Sequence, residues 1–379
     1  MTTNTPDGER TMTTNTPEGE RTVTTNAESP GETRTPRQRH HRNTWRVPVL
    51  GIRIRRRGVI VAAGLAVASV IVALVSLGTG DFPLTVPEVV QAMFATDGGF
   101  ATTIVLDWRL PRVLVALVFG GALGIAGAIF QSLTRNPLGS PDIIGFATGS
   151  YTGALIAITV VGNAYLSTAV GALAGGLVTA LIVYLLAYRG GMQGFRLIIV
   201  GIAVTAVLHA INTYMLLRVQ TEVAMTASIW GSGSLSLVGW EETIPAFIAF
   251  AILLPTMLLA RSLRQLEIGD DAAKAHGVRI EPARLALLVT GVALTAIVTA
   301  TSGPIAFIAL AAPQVAKRLT KSAGIPIIPT ALTGGLLLLS ADFVAQHLLP
   351  SQIPVGIVTV VIGGVYLIAL LISEARERL

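Results

Sequence analysis

Long apolar runs, each closed by a short polar or basic break, fill the chain from position 58 onward. They fall at Gly58–Leu77, Leu110–Leu133, Ile143–Val161, Val170–Tyr188, Leu197–Leu217, Thr243–Ala260, Arg284–Thr301, Ile305–Leu319, Ile327–Leu348 and Val355–Ser373. A helix needs roughly 20 apolar residues to cross a bilayer, and in lipid a span must satisfy its own backbone. The pattern therefore predicts an all-α, polytopic integral membrane protein with about ten transmembrane helices. Small residues recur at four-residue spacing, Gly120 with Gly124 and Ala128, and Gly171 with Gly175. Such spacing predicts helices whose backbones touch.

Residues 1–57 lack this pattern. Met1–Thr11 (MTTNTPDGERT) recurs as Met12–Thr22 (MTTNTPEGERT), and a degraded third copy starts at Val23. Thr, Asn, Pro, Gly and Glu without apolar periodicity predict a disordered tail. Met12 opens the second copy and is a candidate second start, which an N-terminal mass measurement would decide. The tail turns basic over Arg34–Arg57 just before the first apolar run. That run is long enough to span and lies far from the start, so the segment reads as a cytoplasmic flank and not a cleavable leader. The expected division is a repeat-bearing basic tail, 1–57, and a transmembrane domain, 58–379.

Alternate loops then carry Arg135, Arg189 with Arg196, the group Arg261, Arg264, Lys274, Arg279 and Arg284, the group Lys317, Arg318 and Lys321, and finally Arg376 with Arg378. The opposite side holds Arg109, Arg112 and Arg218. Basic loops stay in the cytoplasm, which predicts an inner-membrane protein with both termini cytoplasmic.

Composition agrees with the pattern: 52% of the residues are hydrophobic and 13% charged. The basic surplus, 27 Lys and Arg against 21 Asp and Glu, would suggest nucleic acid in a soluble protein. In a membrane protein it reads as topology, and nucleic acid is not an expected partner. Cysteine is absent and the five histidines fall in no metal-ligand spacing, so no metal or other cofactor is expected in the chain itself. No Gly-Lys dipeptide occurs, which excludes a phosphate-binding loop of the G-x-x-x-x-G-K-[ST] kind. ATP and Mg, if used, belong to a separate subunit, and no catalytic residue is expected.

Three groups of residues stand out. Arg109 and Arg112, in Asp107-Trp108-Arg109-Leu110-Pro111-Arg112, are placed where a helix is expected to begin on the outer face, with Asp107 as its N-cap and Pro111 in the first turn. Two cations there oppose the helix dipole; either an anionic partner docks on them or both reach lipid headgroups beside Trp108. The loop Arg261–Arg284 contains Glu267–Val278, which reads as a short helix with Asp270 and Asp271 in its first turn and Gly277 at its end. It is either a handle for a cytoplasmic partner or a solvated loop helix. Within the spans lie His209, Asn212 and Asp342, with Gln346 and His347 near an outer end. An Asp at a helix centre costs about 2.5–3.5 kcal/mol, so such groups face the protein interior or a water-filled path. His209, Asn212 and Gln346 are candidates to line a path; interhelical hydrogen bonding is the other reading.

Several blocks carry a resemblance. They are RLPR at Arg109–Arg112, GGALGIAGAIFQSLTRNPLGSPDIIGFATG from Gly120, GDDAAKAHGV from Gly269, SGPIAFIALAAPQVAKR from Ser302 and QIPVGIVTVVIGGVYLIALL from Gln352. In them the chain resembles the FecCD/BtuC-type permease family of ABC importers for iron chelates and cobalamin, from about Asp107 to the C-terminus. The stretches FQSLTRNPLGSPD and GGVYLIALLISEAR are most similar to second permease subunits of ferric-enterobactin systems. The resemblance implies a type II importer fold and uptake of a ferric siderophore, enterobactin or a similar catecholate. It implies as partners a second permease chain, cytoplasmic ABC ATPases that use ATP and Mg, an extracytoplasmic siderophore-binding protein and membrane lipid. It implies that Arg109 and Arg112 meet acidic residues of the binding protein. It further implies that Gly269, Asp270, Asp271, Ala275 and Gly277 belong to a coupling helix seated on the ATPase, and that Ser302–Pro313 and Pro354–Gly356 lie near the pathway and the subunit interface. Cobalamin-type members carry arginine where this chain has Gln346, which favours a siderophore. Cobalamin or haem import and, less favoured, ion-driven secondary transport are the alternatives.

Overall fold

In the computed structural model, the residues described are 44–47, 52–95, 99–162, 164–188, 194–236, 238–275, 277, 279–349 and 351–378. The repeat-bearing tail up to position 43, Arg189 and His276 lie outside them. Each of the ten apolar runs falls on a helix. They correspond to α1 (Arg56–Gly78), α4 (Leu110–Thr134), α5 (Phe146–Val160), α6 (Tyr165–Ala187), α7 (Gly194–Arg218), α9 (Thr243–Ile268), α11 (Ile280–Ser302), α12 (Ile308–Thr320), α13 (Ile327–Phe343) and α14 (Val355–Arg378). Among the described residues, six helical stretches are long and apolar enough to cross a membrane: Arg56–Gly78, Phe100–Thr134, Tyr165–Ala187, Gly194–Arg218, Ile280–Ser302 and Ile327–Leu348. Shorter apolar helices are Phe146–Val160, Thr243–Thr256 and Val355–Ala369.

Four further helices are short: α2 (Val86–Phe94), α3 (Phe100–Thr103), α8 (Thr221–Gly231) and α10 (Asp270–Ala275). A strand pair, β1 (Thr44–Val47) with β2 (Ile52–Arg55), precedes α1. The alternation Ile52-Arg53-Ile54-Arg55 has the two-residue period of a strand, a signal the basic composition of this stretch conceals.

Helix α4 is the axle of the bundle. It is apolar on every side, and nearly all of it from Val113 to Thr134 is buried, as a helix without a polar face must be unless lipid surrounds it. It packs on α9, α11, α12 and α13. Gly120 meets α13 backbone to backbone: a Cβ there would collide with the Gly334 carbonyl. Gly127 meets the Ala309 carbonyl of α12 in the same way. A second glycine seam joins α5 to α6 through Gly149, Gly153, Gly171 and Gly175, so the four-residue spacing marks helix contacts. In contrast, α1 and α7 leave most of their surface open.

The start of α4 differs from expectation. Helix runs without a break from Phe100, through α3 and a π-helical turn at Ile104–Arg109, into α4. Asp107 is therefore inside a helix and is not an N-cap. Pro111 has no N–H to give, and the chain continues by widening: Leu110 N–H bonds to the Val105 carbonyl, five residues back. Arg109 and Arg112 accordingly lie well within a helix, where the dipole of its first turn is out of reach. A second π turn, Val344–Leu348, extends α13.

Candidate functional site

Arg109 leaves the first π turn sideways. Its Nη1 donates to the Leu77 carbonyl at 2.7 Å and its Nη2 to the Phe82 carbonyl at 2.8 Å, fastening the end of α1 and the link to α2. The guanidinium passes over Gly80, where φ is +148° and a Cβ would stand 2.5 Å from Nη2; only glycine leaves that room. Arg112, one turn on, forms a two-pronged ion pair with Asp342 of α13, Nε to Oδ2 and Nη2 to Oδ1, each 2.8 Å. Both side chains are largely buried, 16% and 8% exposed. The anion that compensates Arg112 is thus in the same chain, and the intramembrane cost of Asp342 is offset by the same bond.

These two arginines, Trp108, Asp342, Gln346 and His347 line an open-mouthed cavity of about 470 Å³. The second π turn brings Gln346 and His347 to it. Gln346 Nε2 is buried without a partner. His347 lies with Nδ1 3.2 Å from the Phe343 carbonyl and its ring stacked on Phe343. The rim is aromatic: Phe82, Phe100 and Trp108 meet edge to face, with centroids 5.4 and 6.3 Å apart. Helix α2 packs on α1, α3 and the first π turn. Its start is a capping box between Thr85 and Glu88, and the Thr85 bonds hold the Glu88 carboxyl below its usual range. The T-x-x-E spacing at Thr85 was the available sequence signal for α2.

At the other end of α4, 20 positions along, Ser132 Oγ donates to Glu267 Oε1 at 2.8 Å. Glu267 belongs to the last turn of α9 and not to the loop helix expected around it. The helix after it, α10, is Asp270–Ala275, so Asp270 and Asp271 do open it. Gly269 precedes it at φ +130°. Gly277 follows it at φ +79°, its N–H bonded to the Lys274 carbonyl. Ala273 is buried while Lys274 and Ala275 are exposed, so α10 shows one face outward.

On α7, His209 is exposed and Asn212 is buried with neither amide atom partnered. Their side chains are in different environments, and Gln346 is in the Arg112 cavity; the three are not brought together.

Elsewhere three irregular stretches meet. Gly356 N–H bonds to the Gly233 carbonyl at 3.0 Å, and Ser234 N–H to the Ser302 carbonyl at 2.7 Å. The loop 303–307 then enters α12 through Phe307, left-handed at φ +68°, whose ring presses on Gly363 of α14. Its N–H donates to the Asp142 carboxylate. Asp142 and the buried Gln131–Gln314 amide pair, 2.6 Å apart, passed unmarked in sequence, since their partners lie 165 and 183 positions away.

Residues 53–373 match the model of the FecCD transport family. The ferric enterobactin transport system permease protein FepG of Escherichia coli (strain K12) is 47% identical over 86% of this chain and 100% of its own length. The achromobactin transport system permease protein CbrC of Dickeya dadantii (strain 3937) is 36% identical over 82% of this chain and 90% of its own. Among solved structures, a metal-chelate type ABC transporter in an inward-facing conformation superposes with a TM-score of 0.74 at 27% identity, covering 83% of this chain and 99% of that one. The chain belongs to the FecCD transport family.

Proposed function

We propose that this chain is a permease subunit of an ABC importer that carries a ferric siderophore, enterobactin or a similar catecholate, across the cytoplasmic membrane. The observation that carries the reading is the 47% identity along the full length of the ferric enterobactin permease. The glycine-packed bundle, with a cation-lined cavity at one end of α4 and, beyond the other, an α10 that exposes Lys274 and Ala275, supports it.

In this reading the α10 end is cytoplasmic, as are both termini, because the basic loops gather there. A partner ATPase, which binds ATP and Mg, contacts α10; a second permease chain completes the pathway; and an extracytoplasmic binding protein delivers the chelate to the opposite face. Docking carboxylates would share Arg109 and Arg112 with the carbonyls and the Asp342 that already hold them. His209, on an open face of α7, is the candidate to line the path, with Asn212 behind it.

The test is labelled ferric-chelate uptake and iron-limited growth in a strain lacking this chain, with catecholate and hydroxamate siderophores, haem and cobalamin compared. Loss confined to ferric catecholate is expected. Loss confined to cobalamin or haem would overturn the cargo, and uptake by this chain without any ATPase would overturn the mechanism.

A further inference from the structure

Helix α9 ends at Ile268, and one glycine separates it from α10. Gly269 has φ +130° and no atom near the place of a Cβ, so the direction of α10 is set by what holds the end of α9 and by the buried Ala273. Leu263 and Leu266 are buried at that end of α9, and one carboxylate ties it across to neighbouring elements. Glu267 Oε1 accepts from Ser132 Oγ at 2.8 Å, in the last turn of α4, and lies 3.4 Å from the Ile325 N–H, just before α13. Its Oε2 rests on Gly324, where a Cβ would stand 2.5 Å away. Next to it, Arg135 Nε donates to the Leu266 carbonyl at 3.3 Å. Glu267 thus touches α4 and the main chain leading into α13, and Arg112 and Asp342 join the same two helices at the opposite end, about 30 Å away along α4. Between those ends Gly120 and Gly334 are in backbone contact. The α4–α13 pair is therefore bonded near both ends and in backbone contact between them.

We propose that Glu267 is a positioning residue that fixes the base of α10 to the α4–α13 pair, so that events at the Arg112 face and movement of α10 act on one frame. This rests on the reading of α10 as the ATPase contact. An apolar side chain at this position would pack there but could not hold both Ser132 and the main chain before α13.

The test uses the complete importer, with permease pair, ATPase and binding protein, reconstituted in proteoliposomes. E267A, E267Q and S132A are each assayed for ATP hydrolysis with and without loaded binding protein, for chelate uptake per ATP, and for cross-linking of an added A275C to a cysteine placed on the ATPase. The chain has no cysteine of its own to interfere. E267A is expected to keep the cross-link while the binding-protein stimulation and the uptake per ATP each fall about tenfold. E267Q, which keeps an acceptor oxygen, should recover most of both, and S132A should fall between. Wild-type stimulation and uptake in E267A would overturn the proposal. Should E267A not assemble, S132A, which removes one hydroxyl, decides by the same two outcomes. Failure of A275C to cross-link in the otherwise unaltered chain would overturn the α10 reading itself, separately from any effect of Glu267.

Discussion

Arg112 and Asp342, 230 positions apart in sequence, face each other across α4 and α13 through two parallel 2.8 Å hydrogen bonds. Removing one partner leaves the other charge unpaired and largely buried in the cavity wall, at a cost of up to about 3–5 kcal/mol. D342A should therefore lower the thermal unfolding midpoint, in lipid nanodiscs, more than R112A/D342A does. A double variant as unstable as the sum of the single ones would mean the pair has no net coupling.

The same bond complicates any test of docking by charge reversal. Glu at position 112 would face Asp342 at close range and disturb the seam whether or not a partner binds. R109Q is the cleaner variant, since its loss falls on the Leu77 and Phe82 carbonyls. It should weaken binding-protein affinity about tenfold, by loss of one charge-assisted contact, with the permease still assembled. Wild-type affinity measured by titration would remove Arg109 from the docking surface.

The backbone contact at Gly120 gives a local prediction. G120V drives a side chain into the Gly334 carbonyl, and overpacking of that kind costs about 1–3 kcal/mol or more. G64V, on a stretch of α1 where a Cβ meets nothing, should be near neutral. Equal unfolding midpoints for the two variants would show that α4 and α13 can part without penalty.

Ala275 is exposed on α10, so A275W should fold and assemble normally. If α10 transmits movement from an ATPase, uptake should drop about tenfold while ATP hydrolysis continues. Undiminished uptake would exclude α10 from that role.

Asp142, in the link between α4 and α5, retains some exposed surface yet is densely surrounded. Burial pushes its carboxyl from 3.8 up to about 7, and the Phe307 N–H pulls the other way. A carboxyl raised in this way holds more protons folded than unfolded between those two values. Its stabilising contribution is whole below pH 3.8 and is lost as the pH rises through about 7. Asn at 142 can still accept from Phe307 but does not titrate. From pH 5 to 7 the wild type should lose stability relative to D142N, by on the order of 1 kcal/mol per pH unit. Parallel unfolding curves would show that Asp142 does not titrate there.

The long elements were legible because a span announces itself through its length and apolarity, and all ten runs lie on helices. The short ones were not. Helix α8 carries no strong cap signal, and Thr85 with Glu88 marks α2 only once a helix is suspected there. The π turn before Pro111 is a geometric response to a missing N–H, and residue types do not distinguish it from a helix start. At the site, cost identified individual residues: Arg109, Arg112 and Asp342 stand out because lipid penalises them. Pairing is a property of the folded chain, so the bond between Arg112 and Asp342 could not be read. Glu267 reads as part of the loop helix because the hydrophobic pattern fades there, whereas α9 continues through it to Ile268.

The meeting of residues 231–235, 302–307 and 354–356 is made of main chain bonded to main chain. Such a joint leaves no room for a side chain at its glycines: a Cβ would meet the Pro304 carbonyl at Gly233, the Trp230 carbonyl at Gly303 and the Ser232 carbonyl at Gly356. Substitutions that flank those glycines leave the main-chain bonds in place, whereas a substitution at any of the three would pry the stretches apart, so the joint constrains three positions and frees their neighbours.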